Sequence, residues 1–204
     1  MPARGKVAPM AGPALKTVPR SFERGRVIVI GDVHGCIDEL RALLERIGPN
    51  DDDLVICAGD LVRKGPRPDL CLELLRDNQY LSVIGNNENK LLGFEKRGLI
   101  RRLFLSPQDR RVLRRRDLLD LIRSWPVVID IPSVRASVVH GGLFPGMRLD
   151  EREIAERRAD LIRLRYIRQT GNEWRRVPKG NETPDEVLWS EVWDGDRTVL
   201  YGHT

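Results

Sequence analysis

Five short segments combine glycine with side chains that can hold a metal ion: Gly31-Asp32-Val33-His34-Gly35, Gly59-Asp60, Gly85-Asn86-Asn87-Glu88, His140-Gly141-Gly142 and Gly202-His203. The chain has 3 histidines, His34, His140 and His203, and all fall in these segments. A lone histidine is more often a satisfied structural residue than a ligand; three confined to such segments beside carboxylates and amides reverse that reading. Carboxylate, imidazole and amide oxygen together suit borderline or hard divalent ions such as Mn, Fe, Co or Zn. Two such ions bridged by one carboxylate activate water and neutralise phosphate oxygens, which is phosphoryl-transfer chemistry. Cys36, Cys57 and Cys71 form no spaced cluster that would compete for the metal, and their odd number argues against a disulfide framework. A reducing cytoplasm fits that usage.

Each segment must be delivered by an element that ends there. Val27 to Ile30 is a β-branched run stopping at Gly31, Leu54 to Ala58 leads into Gly59, and Tyr80 to Ile84 ends at Gly85. Helical spacing over Ile37 to Ile47 and about Asp69 to Arg76 separates these strands, so βαβ units and a largely parallel sheet are predicted. Loops at the C-terminal ends of such strands are where chemistry collects, and glycine there lets the chain turn sharply. Further on, Leu91 to Arg123 is mostly helical in pattern, with Ser106-Pro107 and Asp109 at capping spacing. Val127 to Ile131 and Val134 to Val139 read as a tight pair of strands flanking Pro132-Ser133, the second ending at His140. A helix is predicted over Asp150 to Ile167, a loop over Arg168 to Glu186, and a last strand over Thr198 to Tyr201 that runs into Gly202-His203.

At 204 residues and 41% hydrophobic content, the chain supports one domain with a substantial core, predicted over residues 23–204. Met1 to Arg20 is rich in Pro, Gly, Ala and Lys and holds no acid, which predicts a disordered basic tail over residues 1–22. No apolar run approaches the roughly 20 residues that span a bilayer, so a soluble protein without a membrane partner is expected. The net charge of +5 favours anionic substrates. Its arginine runs read as solvated helix faces, and aromatics at 5% provide no nucleic-acid platform. Nucleic acid enters only as a capped or phosphorylated substrate.

The ordered series GDVHG, GDLVRKGP, GNNE, HGG and YGHT resembles the calcineurin-like metallophosphoesterase superfamily, in its phosphoprotein-phosphatase branch. Leu164-Arg165-Tyr166, Trp189 with Trp193, and Tyr201-Gly202-His203 are similar to symmetrical diadenosine-tetraphosphate hydrolases and ApaH-like phosphatases. The resemblance covers nearly all of Val27 to Thr204. It implies an α/β fold, a four-layer αββα sandwich, and relatives that continue past the motif at which this chain stops. It implies two divalent transition-metal ions, with Asp32, His34 and Asp60 on the first, Asp60 bridging, and Asn86, His140 and His203 completing the second. Lys64 and Arg165 would bind substrate phosphate beside Asn86. The implied activity is hydrolysis of phosphate monoesters or phosphoanhydrides in phosphorylated small molecules, nucleotides or phosphoproteins.

One departure from that pattern bears on catalysis. The family's GNHE has a histidine third, which the resemblance makes the proton donor to the leaving oxygen, and here that position is Asn87. An amide donates hydrogen bonds but has no proton to give near neutrality. Arg63 likewise occupies the place of an aspartate that supports the histidine in many relatives. Asn87 reads either as an engineered change that traps substrate or as a natural divergence toward slow or altered catalysis. The alternative function is a pseudophosphatase that binds metal and phosphorylated ligands without turnover.

Overall fold

The computed structural model describes residues 12–19, 25–95, 105–181 and 183–203. Three parallel strands, β2 (Val27–Ile30), β3 (Leu54–Cys57) and β4 (Leu81–Ser82), form one sheet in the order β2-β3-β4. A second sheet has the order β1-β5-β6-β10 and comprises β1 (Leu15–Thr17), β5 (Val128–Ile131), β6 (Ala136–Val139) and β10 (Thr198–Tyr201). Alternation along these strands builds the layers. Val27, Val29, Leu54 and Ile56 face Ile129, Ile131, Val138 and Leu200 in one apolar cluster between the sheets. Their neighbours Ile28, Ile30, Val55, Cys57, Val128, Val139 and Val199 face outward into a second cluster shared with the helices. Side chains of period two facing opposite ways produce this division without further instruction.

The helices α1 (Ile37–Ile47), α2 (Pro68–Asp77), α3 (Asn86–Glu95), α4 (Pro107–Leu113), α5 (Arg116–Ser124) and α6 (Glu151–Leu161) complete an αββα sandwich. Ser106 Oγ accepts from the Asp109 amide, as its capping spacing predicts, and Asp150 Oδ1 accepts from the Glu153 amide. Gly48 in the left-handed region ends α1 and donates its N–H to Leu44 O.

Four expectations are corrected. Leu15–Thr17, inside the predicted tail, is a strand paired in parallel with Val128 to Asp130. Both carboxylate oxygens of Glu151 accept from the Ala14 and Leu15 amides at 2.7 Å, and Arg158 donates to the carbonyls of Gly12 and Pro13. Composition could not reveal those partners, which lie far away in sequence. Residues 1–11 and 20–24 of the same region lie outside the described residues. The helix predicted to reach Ile167 stops at Leu161, and the expected loop contains the hairpin β7 (Tyr166–Thr170) and β8 (Glu173–Arg176), with β9 (Val187–Leu188) against β7. Gly171 at φ 59 opens the two-residue turn, and glycine adopts that conformation without strain. Pro132–Val134 forms a 3-10 turn, delaying β6 to Ala136. Finally, α3 starts at Asn86, five residues before the expected Leu91; residues 96–104 of the long helical pattern lie outside the described set.

Because Glu151 supplies both anchors of β1, Glu151→Ala should lower unfolding stability by about 1–2 kcal/mol, the worth of hydrogen bonds to a charged group at a partly exposed site. Glu151→Gln keeps one acceptor and should lose about half as much. Urea midpoints at constant m-value report this.

Candidate metal centre

All five glycine-bearing segments leave strand ends on one side of the sandwich, after β2, β3, β4, β6 and β10. Main-chain hydrogen bonds tie them together: His34 N–H donates to Asp60 O at 2.8 Å, and Gly202 N–H to His140 O at 3.0 Å. Two close approaches require glycine. A Cβ on Gly85 would collide with Asp60 and Glu88, and one on Gly202 with the Asp32 carboxylate. His34, Asp60 and His203 have φ of 52°, 52° and 59°, a left-handed backbone uncommon outside glycine and asparagine. Such strain gathers where geometry serves a site.

Asp60, only 2% exposed, belongs to two sets of potential ligands. Asp32, His34 and Asp60 place one ligand atom each within 4.8 Å of one another, and so do Asp60, His140 and His203. Each triad could hold a cation, with Asp60 common to both. The histidines are prepared for ligation. His140 Nδ1–H donates to Ala58 O at 2.8 Å, which leaves Nε2 a lone pair directed to Asp60 Oδ1 at 3.4 Å. His34 Nδ1–H donates to Val62 O at 3.3 Å and leaves Nε2 toward Asp32 and Asp60, 3.8 Å from each. Burial, then His140 and Arg165, lower the pKa of His203 from the usual 6.5 to about 4, so its ring is the neutral ligand form. The Asn86 amide meets Asp60 Oδ2, His140 Nε2 and His203 Nδ1 at 3.2, 3.1 and 2.9 Å. Turned over, it would present Oδ1 to that same point, giving a set of two oxygens and two nitrogens that a divalent ion accepts.

Glu88 received no role from its sequence. It is fully buried, and its two oxygens accept from the amides of Asp60, Val62 and Gly85 at 2.9, 3.0 and 3.0 Å. Burial, then the neighbouring Asp60 charge, raise its pKa, while the backbone amides of Val62, Glu88 and Asp60 pull the other way. This one carboxylate joins the loops after β3 and β4. Cys57 and Cys71 are pushed up to about 12 by burial, so neither offers a thiolate to a cation.

Asn87 is 6% exposed and turns inward; its N–H donates to Asp60 Oδ1 at 2.9 Å and its amide Nδ2 to Asp60 Oδ2. Lys64 Nζ is 2.8 Å from His34 Nε2. Arg165, expected within a helix, instead precedes β7 and donates from Nε to His203 O at 3.0 Å. Arg63 turns toward Asp109, Nε to Oδ2 at 3.7 Å, with its guanidinium over the Phe94 ring. A cavity of about 290 Å³ opens over the centre, lined by Asp32, Asp60, Asn86, Asn87 and His203. Lys64, Lys90, Arg163, Arg165, Arg176 and Lys179 supply its basic wall. Lys90, Arg163, Arg176 and Lys179 escaped the sequence reading because α3 and the β7–β8 hairpin were placed wrongly.

A four-layer αββα sandwich with acid, amide and imidazole converging at its strand ends is the architecture of a metal-dependent phosphoesterase. Residues 25–204 match the family model described as calcineurin-like phosphoesterase, and the chain belongs to that family. The symmetrical bis(5'-nucleosyl)-tetraphosphatase of Actinobacillus pleuropneumoniae serotype 3 (strain JL03) is 30% identical over 82% of this chain and 61% of its own length. The like-named protein of Neisseria meningitidis serogroup A / serotype 4A (strain DSM 15465 / Z2491) is 32% identical over 68% of this chain and 52% of its own. The chain therefore spans about three fifths or less of these relatives. A crystal structure described as that of a candidate diadenosine tetraphosphatase superposes with a TM-score of 0.76 at 29% identity, covering 94% of this chain and 79% of the other. Membership of this family implies divalent metal ions, which the donor set fits. Among the described residues no helix is long and apolar enough to cross a membrane.

The depressed His203 pKa has a stability consequence. The unfolded chain takes up this proton near 6.5 and the folded chain only near 4, so folding stability falls as pH drops through that interval. In metal-free protein, His203→Gln should flatten the slope of stability against pH between about 6.5 and 4. Denaturation at several pH values checks it.

Proposed function

We propose that the protein hydrolyses phosphate esters and anhydrides with two divalent ions, and that phosphoanhydrides are its better substrates. The observation that supports the dinuclear reading is the pair of ligand triads sharing Asp60. Asp32, His34 and Asp60 would hold one ion, and Asp60, Asn86, His140 and His203 the other. When bound, divalent ions of the Mn, Fe, Co or Zn kind supply Lewis acidity and lower the pKa of water.

The chain's own residues do the rest. Lys64 and Arg165 border the cavity and would draw a phosphate toward the centre. Asn87 has no acidic proton, so a departing alkoxide goes unprotonated and an ester of a poor leaving group is cleaved slowly. An anhydride leaves as a weakly basic phosphate and needs no such help. That distinction favours dinucleoside polyphosphates or inorganic polyphosphate over phosphoproteins, in keeping with what the tetraphosphatase relatives are named for. The second reading, a protein that grips phosphorylated ligands without turnover, rests on Asn87 alone.

Substrate comparison tests this reading. The Mn-loaded protein should hydrolyse tripolyphosphate and p-nitrophenyl phosphate measurably while leaving a phosphoserine peptide nearly untouched. Equal rates on the aryl phosphate and the peptide would contradict it, and no turnover of any would favour the binding protein. Asn87→His should raise kcat on alkyl phosphoesters by about 10²- to 10⁴-fold, the usual worth of a placed general acid. The Arg63 guanidinium is taken up by Asp109 and Phe94, so it should depress the new imidazole little. Adding Arg63→Asp should accordingly extend the gain to higher pH by less than half a unit, read from rate against pH.

A further inference from the structure

We propose that Lys90 and Lys179 grip the phosphate that departs, so that fixed positive charge does for an anhydride what a proton donor does for an ester. The inference rests on the phosphohydrolase reading above. Asn86, Asn87 and Lys90 lie in α3, with Lys90 four and three residues after the asparagines. Residues at those spacings are neighbours on one helix face, about 5–6 Å apart at Cβ. Asn86 and Asn87 reach Asp60, and Lys90 continues the same cavity lining one turn further from the candidate metal ligands. Lys179 enters that lining from the segment following β8.

Much of the charge on this wall is left without a counter-charge. Arg67, Arg115, Arg123, Arg168 and Arg197 each meet a carboxylate, whereas Lys90 and Lys179 have no ion-pair partner among the described residues. Arg163 and Arg165 spend N–H donors on the carbonyls of Ala159 and His203, which orients them without neutralising them. Arg176 does pair, with Asp160 at 2.8 Å. The reacting phosphate has Lys64 and the metal ligands beside it, so cations further along the cavity answer to anionic groups further along the substrate.

The bond changes agree. Water oxygen bonds to phosphorus and gives one proton up to solvent, the bridging P–O bond breaks, and its electron pair stays on the bridging oxygen. That oxygen becomes a terminal oxygen of the leaving phosphate, whose second pKa near 6 lets it depart without a proton. The charge appearing there is what an ammonium group in the same lining stabilises. An ester offers no such group, and with Asn87 in place of an acid it gains nothing from the wall.

Mn-loaded wild type, Lys90→Met, Lys179→Met and Lys90→Arg are compared by kcat/KM on tripolyphosphate and on p-nitrophenyl phosphate, which lacks a leaving phosphate. Calorimetry of the metal-free proteins with tripolyphosphate and with orthophosphate gives a readout independent of turnover. The tripolyphosphate-to-aryl ratio should fall tenfold or more in each methionine variant, Lys90→Arg should restore most of it, and metal-free affinity should fall more for tripolyphosphate than for orthophosphate. A ratio that falls less than tenfold, or parallel loss on both substrates, overturns the proposal while the hydrolase reading stands. A wild type that cleaves neither substrate removes the hydrolase reading and this proposal together.

Discussion

A carboxylate buried at the meeting point of five strand ends imposes the main constraint on this molecule. Asp60 is drawn out of water beside a second buried acid, Glu88, with Asp32 close by, and no lysine or arginine among the described residues pairs with any of them. Carboxylates in a medium of low dielectric are costly unless charge or hydrogen bonding compensates them. The protein compensates in part with amides, three to Glu88 and both donors of Asn87 to Asp60. Imidazoles complete the surroundings. A divalent cation held between these oxygen and nitrogen atoms would supply the balancing positive charge.

The remaining architecture serves that convergence. The parallel strands β2, β3 and β4 of one sheet and β6 and β10 of the other send their C-terminal ends to one rim; Gly85 lets the loops after β3 and β4 approach, and Gly202 brings loops from the two sheets to contact distance. The left-handed backbones of His34, Asp60 and His203 would cost energy in isolation. Glu88 offsets some of that cost by fastening the loops that carry Asp60 and Asn86. Around the centre, α3 and the β7–β8 hairpin contribute basic residues to the cavity wall, which would suit an elongated anion.

The centre was legible in the sequence because its grammar is local. A short apolar run with a glycine just before Asp32, Asp60, Asn86 or His203, or just after His140, records both the turn and the candidate ligand within a few residues. The sheet layers were legible for the same reason, through alternation along β2 and β3. Features that depend on distant partners were not. Leu15-Lys16-Thr17 has no local strand signal; Glu151 and the β5 edge supply its order. Arg165 to Ile167 reads as the end of an arginine-rich helix and Arg168 to Arg176 as loop, although Tyr166, Ile167 and the turn at Gly171 could have indicated a hairpin. Starting α3 at Leu91 left Lys90 off the helix face it shares with Asn87. Asp109, the partner of Arg63, lies 46 positions away, and no local pattern joins the two.

The sharing of Asp60 is the claim on which the rest turns, and metal stoichiometry addresses it most directly. Manganese titration of metal-free protein, followed by calorimetry and by electron paramagnetic resonance, should reveal two ions per chain whose spins are coupled through a common carboxylate. Asp60→Asn should weaken both ions together and abolish the coupling. Saturation at one ion per chain, or an Asp60→Asn protein that keeps one ion at wild-type affinity, would contradict the shared-ligand account.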